Sequence, residues 1–293
     1  MVLVTFQGER GAYSEEALYA FFQARGMRST EAHACRTFDE AIHMVEAGEA
    51  HYAFLPIENT LEGTVDEAMD VLLDSDLWIV GEMRYKVNHC LIGHPGATAE
   101  GIKSVFSHPY ALRQSRDFLR ARNLETRPTQ DTAGAVREIK TRGNLLEAAI
   151  ASERAAEVYG MQVLQKGIQS REHNYTRFLA LSRNEYKPNP GKKETFLTTM
   201  VFGIRHAPGA LHDCLGEFAS RGINLTKLES RPRPERPWTY QFLVDFEGHK
   251  DDPKITEALS ALVGKASSLQ VVGSYPSWES IKPTKAGETQ DTR

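Results

Sequence analysis

Short apolar runs alternate with amphipathic stretches over residues 1–182, a rhythm that predicts strands and helices stacked as an α/β layer fold. Residues 2–6 read as a strand and Gly8-Glu9-Arg10-Gly11 as a turn. Ser14 is placed to cap a helix whose first turn carries Glu15 and Glu16, favourable against the helix dipole. Thr37-Phe38-Asp39-Glu40 and Thr64-Val65-Asp66-Glu67 both fit the capping box, so a helix is expected to begin at each; residues 52–57 between them read as a buried strand. A second set follows the apolar stretch 87–92. Strand 104–106 runs into Ser107-His108-Pro109, a further run leads into Asp131-Thr132-Ala133, and strand 148–151 leads into Ser152-Glu153. Each junction sets a hydroxyl or carboxylate at a helix start, with Pro109 suited to the first helical position, and the junctions are expected to line one sheet edge.

Residues 183–195, with Lys187-Pro188-Asn189-Pro190-Gly191-Lys192-Lys193, break the periodicity and read as a linker. Beyond it the pattern predicts strand 196–204, helix 209–221, strands 224–229 and 239–246, helix 253–263 and strand 269–272. That is βαββαβ, the split ferredoxin-like arrangement. The expected division is therefore a larger domain at 1–182, a linker at 183–195, a small domain at 196–276 and a polar, disordered tail at 277–293.

A chain of 293 residues, 41% hydrophobic and 25% charged, accommodates one large and one smaller domain. The net charge of −4 and the lack of any block of like charge point away from nucleic acid. Small anions must then be met by local donors. Cys35, Cys90 and Cys214 lie far apart in no metal or redox spacing, as reduced thiols of a reducing compartment would. The apolar run at the amino terminus is too short for a signal peptide and no segment approaches a membrane span, so a cytoplasmic location is expected.

Five motifs in order carry a family resemblance: Phe6-Gln7-Gly8-Glu9-Arg10-Gly11-Ala12-Tyr13-Ser14, Leu55-Pro56-Ile57-Glu58-Asn59-Thr60-Leu61-Glu62-Gly63, Ser107-His108-Pro109, Asp131-Thr132-Ala133, and Gln169-Ser170-Arg171-Glu172-His173-Asn174-Tyr175-Thr176-Arg177-Phe178. Together they resemble the prephenate dehydratases, and the region after the linker resembles their ACT regulatory domain through Pro208-Gly209-Ala210-Leu211 and Glu229-Ser230-Arg231-Pro232. The resemblance implies two α/β lobes like those of periplasmic binding proteins, with the site between them, followed by the ACT domain. It implies a carbon-oxygen lyase that turns prephenate into phenylpyruvate, needs no cofactor or metal, answers to L-phenylalanine, and assembles as a homodimer or homotetramer. With no segment ahead of Met1, the chorismate mutase domain fused to some relatives is expected to be absent.

In that reaction the ring carboxylate leaves as carbon dioxide and the hydroxyl opposite leaves as water, driven by aromatisation. The enzyme must hydrogen-bond the departing hydroxyl and orient a dianion. Thr176 is the candidate donor, being an alcohol without charge, with Arg177 and Phe178 as its companions in the motif. Neighbours on a strand alternate faces, so Phe178 is expected to share the face of Thr176 as an apolar wall. The resemblance places Asn59, Thr60, Gly63, Ser14, Ser107, Thr132 and Asn174 around the substrate, although Ser107, Asp131 and Ser152 also read as plain helix caps. His108 and His173 are imidazoles that could serve proton transfer, yet read first as surface or cap residues. Gly209, Ala210, Leu211, Asn224, Leu225, Glu229 and Ser230 are the positions implied for phenylalanine, with Asn224 and Leu225 facing the ligand from a partner subunit. The insert Arg233-Pro234-Glu235-Arg236-Pro237 falls beside that pocket. Two rivals share the pattern: an arogenate dehydratase, and a non-catalytic sensor of small carboxylates.

Overall fold

In a computed structural model, which describes residues 1–232 and 240–281, the chain divides into two units. One comprises Met1–Asp76 with Met83–Ala180, the other Leu77–Glu82 with the chain from Leu181 onward. The first lobe of the first unit is built from β1 (Val2–Gln7), α1 (Tyr13–Ala24), β2 (Thr30–Cys35), α2 (Phe38–Glu46), β3 (Tyr52–Asn59), β4 (Gly63–Thr64), α3 (Asp66–Asp74) and, from Met83 on, the end of β5 (Trp78–Lys86), whose residues up to Glu82 belong to the second unit. The second holds β6 (Cys90–Gly93), β7 (Ser104–Ser107), α4 (Pro109–Gln114), α5 (Arg116–Ala121), β8 (Glu125–Pro128), α6 (Thr132–Arg142), β9 (Glu147–Ala151), α7 (Glu153–Tyr159) and β10 (Gln162–Lys166), and β11 (Tyr175–Ser182) returns to the first.

The first sheet runs β2-β1-β3-β11-β5, with β4 folded back on β3, and the second runs β10-β6-β9-β7-β8. Strands β1 and β3 are parallel and covered on both faces, which is why Ala53, Phe54 and Leu55 are buried in succession with no polar alternation. Thr5 is tolerated there because its hydroxyl donates to the Ala41 carbonyl at 2.7 Å. Apolar clusters cover the two faces of the second sheet, one around Ile92, Phe106 and Val136, the other around Leu91, Val105 and Ile150.

Helix starts show which caps the local sequence decides. Thr37 accepts from Glu40 N at 3.1 Å, Asp131 from Gly134 N at 2.6 Å and Ser152 from Ala155 N at 3.0 Å. Two expected caps differ. The α1 helix starts at Tyr13, one residue before Ser14, because buried Glu15 folds back to accept from Gly11 N. Thr64 pairs with Glu58 in the β3–β4 hairpin, so Val65 takes the cap position of α3 without a side-chain bond.

The second unit contains β12 (Phe196–Ile204), α8 (Ala210–Ala219), β13 (Leu225–Pro232), β14 (Tyr240–Glu247), α9 (Pro253–Val263), β15 (Ala266–Pro276) and a short α10 (Trp278–Ile281), its sheet ordered β13-β14-β12-β15. The order βαββαβ is that of the sequence pattern. Residues 77–82 join this unit through close packing: a Cβ built on Gly273 would sit 2.3 Å from the Ile79 carbonyl oxygen, and Trp278 N donates to Glu82 Oε1 at 3.1 Å. The expected disordered tail is corrected at its start, since Trp278 is buried and opens a helical turn. Residues 282–293, like the 233–237 insert and Thr239, lie outside the described residues. Among the described residues no helix is long and apolar enough to cross a membrane.

Candidate active site

The segments that follow β1, β3, β7 and β9 carry side chains that join the two lobes of the first unit. On one flank Ser152 Oγ donates to the Gly11 carbonyl at 2.6 Å, Arg154 donates to Glu15 at 3.0 Å, and Arg137 pairs with Glu9 at 2.7 Å. Gly11 makes this approach possible. Its φ is +87°, and a Cβ there would lie 2.8 Å from Ala155 Cα. Gly26 shares the positive φ with open space around it, so the pair separates the two costs. Gly26→Ala is expected to lose about 1–2 kcal/mol of stability from the left-handed backbone alone, and Gly11→Ala about 1–3 kcal/mol more from overlap, read by denaturant unfolding.

On the other flank Glu62 pairs with Arg113 and accepts from Gln114 Nε2 at 3.4 Å. A cavity of about 200 Å³ lies beside this contact, lined by Glu62, Gln114, Ser170 and three arginines, Arg113, Arg116 and Arg171.

Between the flanks Asn59 organises the centre. Asn59 Oδ1 accepts from Leu61 N at 2.9 Å and Glu62 N at 3.1 Å, closing the loop whose Gly63 takes a φ of +83°. Those two backbone donors fix which way the amide points. Its Nδ2 then reaches Asn174 Oδ1 at 2.9 Å, Thr176 Oγ1 at 3.0 Å and the Tyr175 carbonyl at 3.2 Å. An amide nitrogen only donates, so Thr176 Oγ1 accepts, and the Thr176 proton is turned away from Asn59. Among the described residues nothing takes that proton.

Thr60 staples the same turn to β11: its hydroxyl donates to the His173 carbonyl and accepts from Tyr175 N, both at 3.0 Å. Both roles of its oxygen are thus occupied by backbone. Asn174, fully buried, passes the network on by donating Nδ2 to Gln114 Oε1 at 2.8 Å. Gln114 closes the short α4 helix and carried no local sequence signal; only the tertiary contact reveals it. Thr132 stands at the first position of α6, half-buried, its hydroxyl without a partner among the described residues. Ser14 and Arg177 are also half-buried.

Two expected ligand contacts are corrected. Ser107 is fully buried and its hydroxyl donates to the Ile150 carbonyl at 2.6 Å, because β7 and β9 are neighbours and the side chain completes their junction. Phe178 does share the strand face of Thr176, but it is 1% exposed and stacks on Phe54 with centroids 5.1 Å apart. It is core beneath the site and forms no wall of it. His108 caps α4 by accepting from Tyr110 N at 3.3 Å.

In the second unit Gly209 caps α8 with a φ of +80°, while Leu211 and Leu225 pack partly against the core. Asn224 donates to Glu247 at 3.0 Å, and Glu229 pairs with Lys227 at 3.0 Å and Arg231 at 3.4 Å. Ala210 is half-buried and Ser230 exposed.

A two-lobed α/β unit with a polar crevice, followed in the chain by a ferredoxin-like unit, is the architecture of a small-molecule-binding protein with an appended small domain. The chain belongs to the prephenate dehydratase family: the family's model matches residues 4–186, and the ACT domain model matches residues 198–264. It is 40% identical over 284 residues to an arogenate dehydratase/prephenate dehydratase of Arabidopsis thaliana, covering 94% of this chain and 73% of that one. It is 35% identical to a bifunctional chorismate mutase/prephenate dehydratase of Aquifex aeolicus, covering 94% and 74%. A crystal structure of prephenate dehydratase in complex with L-Phe from Arthrobacter aurescens superimposes with a TM-score of 0.86 at 30% identity, covering 98% of this chain and 93% of that one. This protein is accordingly a dehydratase with a carboxyl-terminal ACT domain.

Proposed function

We propose that the interlobe crevice of the first unit binds prephenate, with Thr176 donating a hydrogen bond to the hydroxyl that departs from the ring. The bond to the ring carboxylate breaks and its electron pair enters the ring; the opposite carbon–oxygen bond breaks and the oxygen leaves, with one proton taken up, as water. Hydroxide is a poor leaving group unless a donor meets its growing charge, and that is the service the free Thr176 proton offers. The observation carrying this reading is the direction of the Asn59–Thr176 hydrogen bond, which commits the threonine oxygen as acceptor and leaves its proton for the substrate.

Asn59, Asn174 and Thr60 hold the donor in place, Thr132 and the amino terminus of α6 offer donors to a carboxylate, and Arg113, Arg116 and Arg171 draw the dianion in. Gly63 shapes the turn, and Ser14 and Arg177 complete the surroundings. Residues 1–182 form the catalytic domain, 183–195 the linker and 196–276 the regulatory domain. L-phenylalanine binds at Gly209, Ala210 and Leu211, with Asn224, Leu225, Glu229 and Ser230 completing the pocket. The ten residues of α8 span about 15 Å between Gly209 and the turn before Asn224, which favours a homodimer or homotetramer in which the partner's strand supplies the second wall. The location is cytoplasmic.

Incubation of the purified protein with prephenate or with arogenate separates the nearest alternative. The reading predicts phenylpyruvate from prephenate at the higher kcat/KM, slowed by added phenylalanine. Faster formation of phenylalanine from arogenate would assign the substrate to the amino-acid analogue, and turnover of neither would leave a sensor.

A further inference from the structure

The network around Thr176 does not end at Gln114. Gln114 Oε1 accepts twice, from Asn174 Nδ2 and from the ring Nε2 of His89, each at 2.8 Å. His89 is 2% exposed and sits on the segment that leaves the first lobe, while Asn174 lies on the segment that returns; Val87 N donates to the Asn174 carbonyl at 2.8 Å, tying the two crossings together. A carboxamide oxygen only accepts, so His89 Nε2 carries its proton. Burial lowers the pKa of His89 and keeps the ring neutral, which leaves Nδ1 as an acceptor. Tyr13 meets it: the phenol oxygen is 2.8 Å from Nδ1, and burial holds the phenol protonated as a donor. The Asn88 carbonyl, at 3.2 Å, is the longer second acceptor of that phenol.

Every bond in the chain therefore has one direction. Tyr13 donates to His89, His89 and Asn174 donate to Gln114, and Asn59 donates to Asn174 and to Thr176. We infer that His89, with its tautomer selected by Tyr13, is a positioning residue for the dehydration, acting through Gln114, Asn174 and Asn59 to aim the Thr176 proton. With Nε2–H removed, Gln114 loses one of the two donors that hold its oxygen, its amide is free to turn, and the acceptor that orients Asn174 moves with it. The inference rests on the reading of Thr176 as the donor.

Four substitutions in the full chain, two of them also combined with Thr176→Val, test it by steady-state kinetics with prephenate. His89→Phe keeps the bulk and removes the donor; kcat is expected to fall on the order of 10-fold or more with KM within about threefold. His89→Gln restores an amide N–H near the position of Nε2 and should recover kcat to within about threefold of the parent. Tyr13→Phe keeps its ring and loosens the tautomer, and should lower kcat by about 3-fold to 10-fold. In a Thr176→Val background, His89→Phe and Tyr13→Phe should each cost less than about twofold, since the group they aim is gone.

Undiminished kcat in His89→Phe overturns the inference, as does a His89→Gln enzyme as slow as His89→Phe, or full additivity with Thr176→Val; the last two mark a packing role. Should His89→Phe not fold, His89→Gln at parental speed together with a Tyr13→Phe loss that vanishes in the Thr176→Val background supports it, and an additive Tyr13→Phe loss overturns it. Thr176→Val retaining parental kcat would instead remove the underlying reading.

Discussion

Thr176→Val is expected to lower kcat for prephenate on the order of 100-fold or more while KM stays within a few fold, because the substitution keeps the shape of the side chain and removes only a contact that strengthens as the hydroxyl departs. The loss should sit in kcat. A ground-state contact would raise KM instead, since uniform binding contributes equally to substrate and transition state. Folding should be little changed: Thr176 Oγ1 accepts one bond, from an Asn59 amide that has Asn174 and the Tyr175 carbonyl as other acceptors. The comparison with Thr176→Ser sharpens it, for serine retains a hydroxyl on the same backbone and should keep a substantial part of the activity. Parental turnover in the valine variant would exclude the alcohol from the chemistry.

Asn59→Asp tests the direction of the hydrogen bond directly. The aspartate is nearly isosteric, and one carboxylate oxygen can still accept from Leu61 N and Glu62 N, so the loop that carries Thr60 and Glu62 should survive. The other oxygen would replace a donor with an acceptor opposite Asn174 Oδ1 and Thr176 Oγ1, at sites now 2.9 and 3.0 Å from nitrogen. Thr176 would then spend its proton on the new carboxylate. The expected result is a fall in kcat on the order of 100-fold, with a stability loss of about 1–3 kcal/mol from the facing acceptors, read by steady-state kinetics and denaturant unfolding. Activity near the parental value would mean that Thr176 is oriented by something other than Asn59.

Much of the architecture is written in local pattern, and what escapes it does so for physical reasons. Capping at Thr37, Asp131 and Ser152 depends on one side chain and the next turn, so residue spacing suffices. The helix at Pro253–Val263 coincides with its sequence expectation because proline suits the first helical position; Asp252 ahead of it makes no side-chain cap bond. Of the strands the sequence pattern did not anticipate, three are poor in apolar residues: β2 at Thr30–Cys35, β8 at Glu125–Pro128 and β10 at Gln162–Lys166. All three are sheet edges, where one side has no neighbour and few apolar residues are required.

Asn59, Thr60, Asn174 and Thr176 were nameable because they stand in contiguous motifs; the fold brings Asn59 within hydrogen-bond reach of Asn174 and Thr176, and Thr60 onto the backbone of His173 and Tyr175 beside them. Gln114 and His89 were invisible because their meaning lies in two crossings and a helix end that meet only in three dimensions. Ser107 and Phe178 show the opposite failure. A motif says which residues travel together, whereas strand register decides which of them face a crevice and which face the core.

A crystal structure of the Thr176→Val variant with prephenate bound is the most direct measurement. The prediction is that the ring hydroxyl oxygen lies within about 4 Å of the substituted side chain, where the parental hydroxyl would reach it, with Asn59 still bound to Asn174. Prephenate seated with that oxygen turned away from this position would contradict the assignment of Thr176 as its donor.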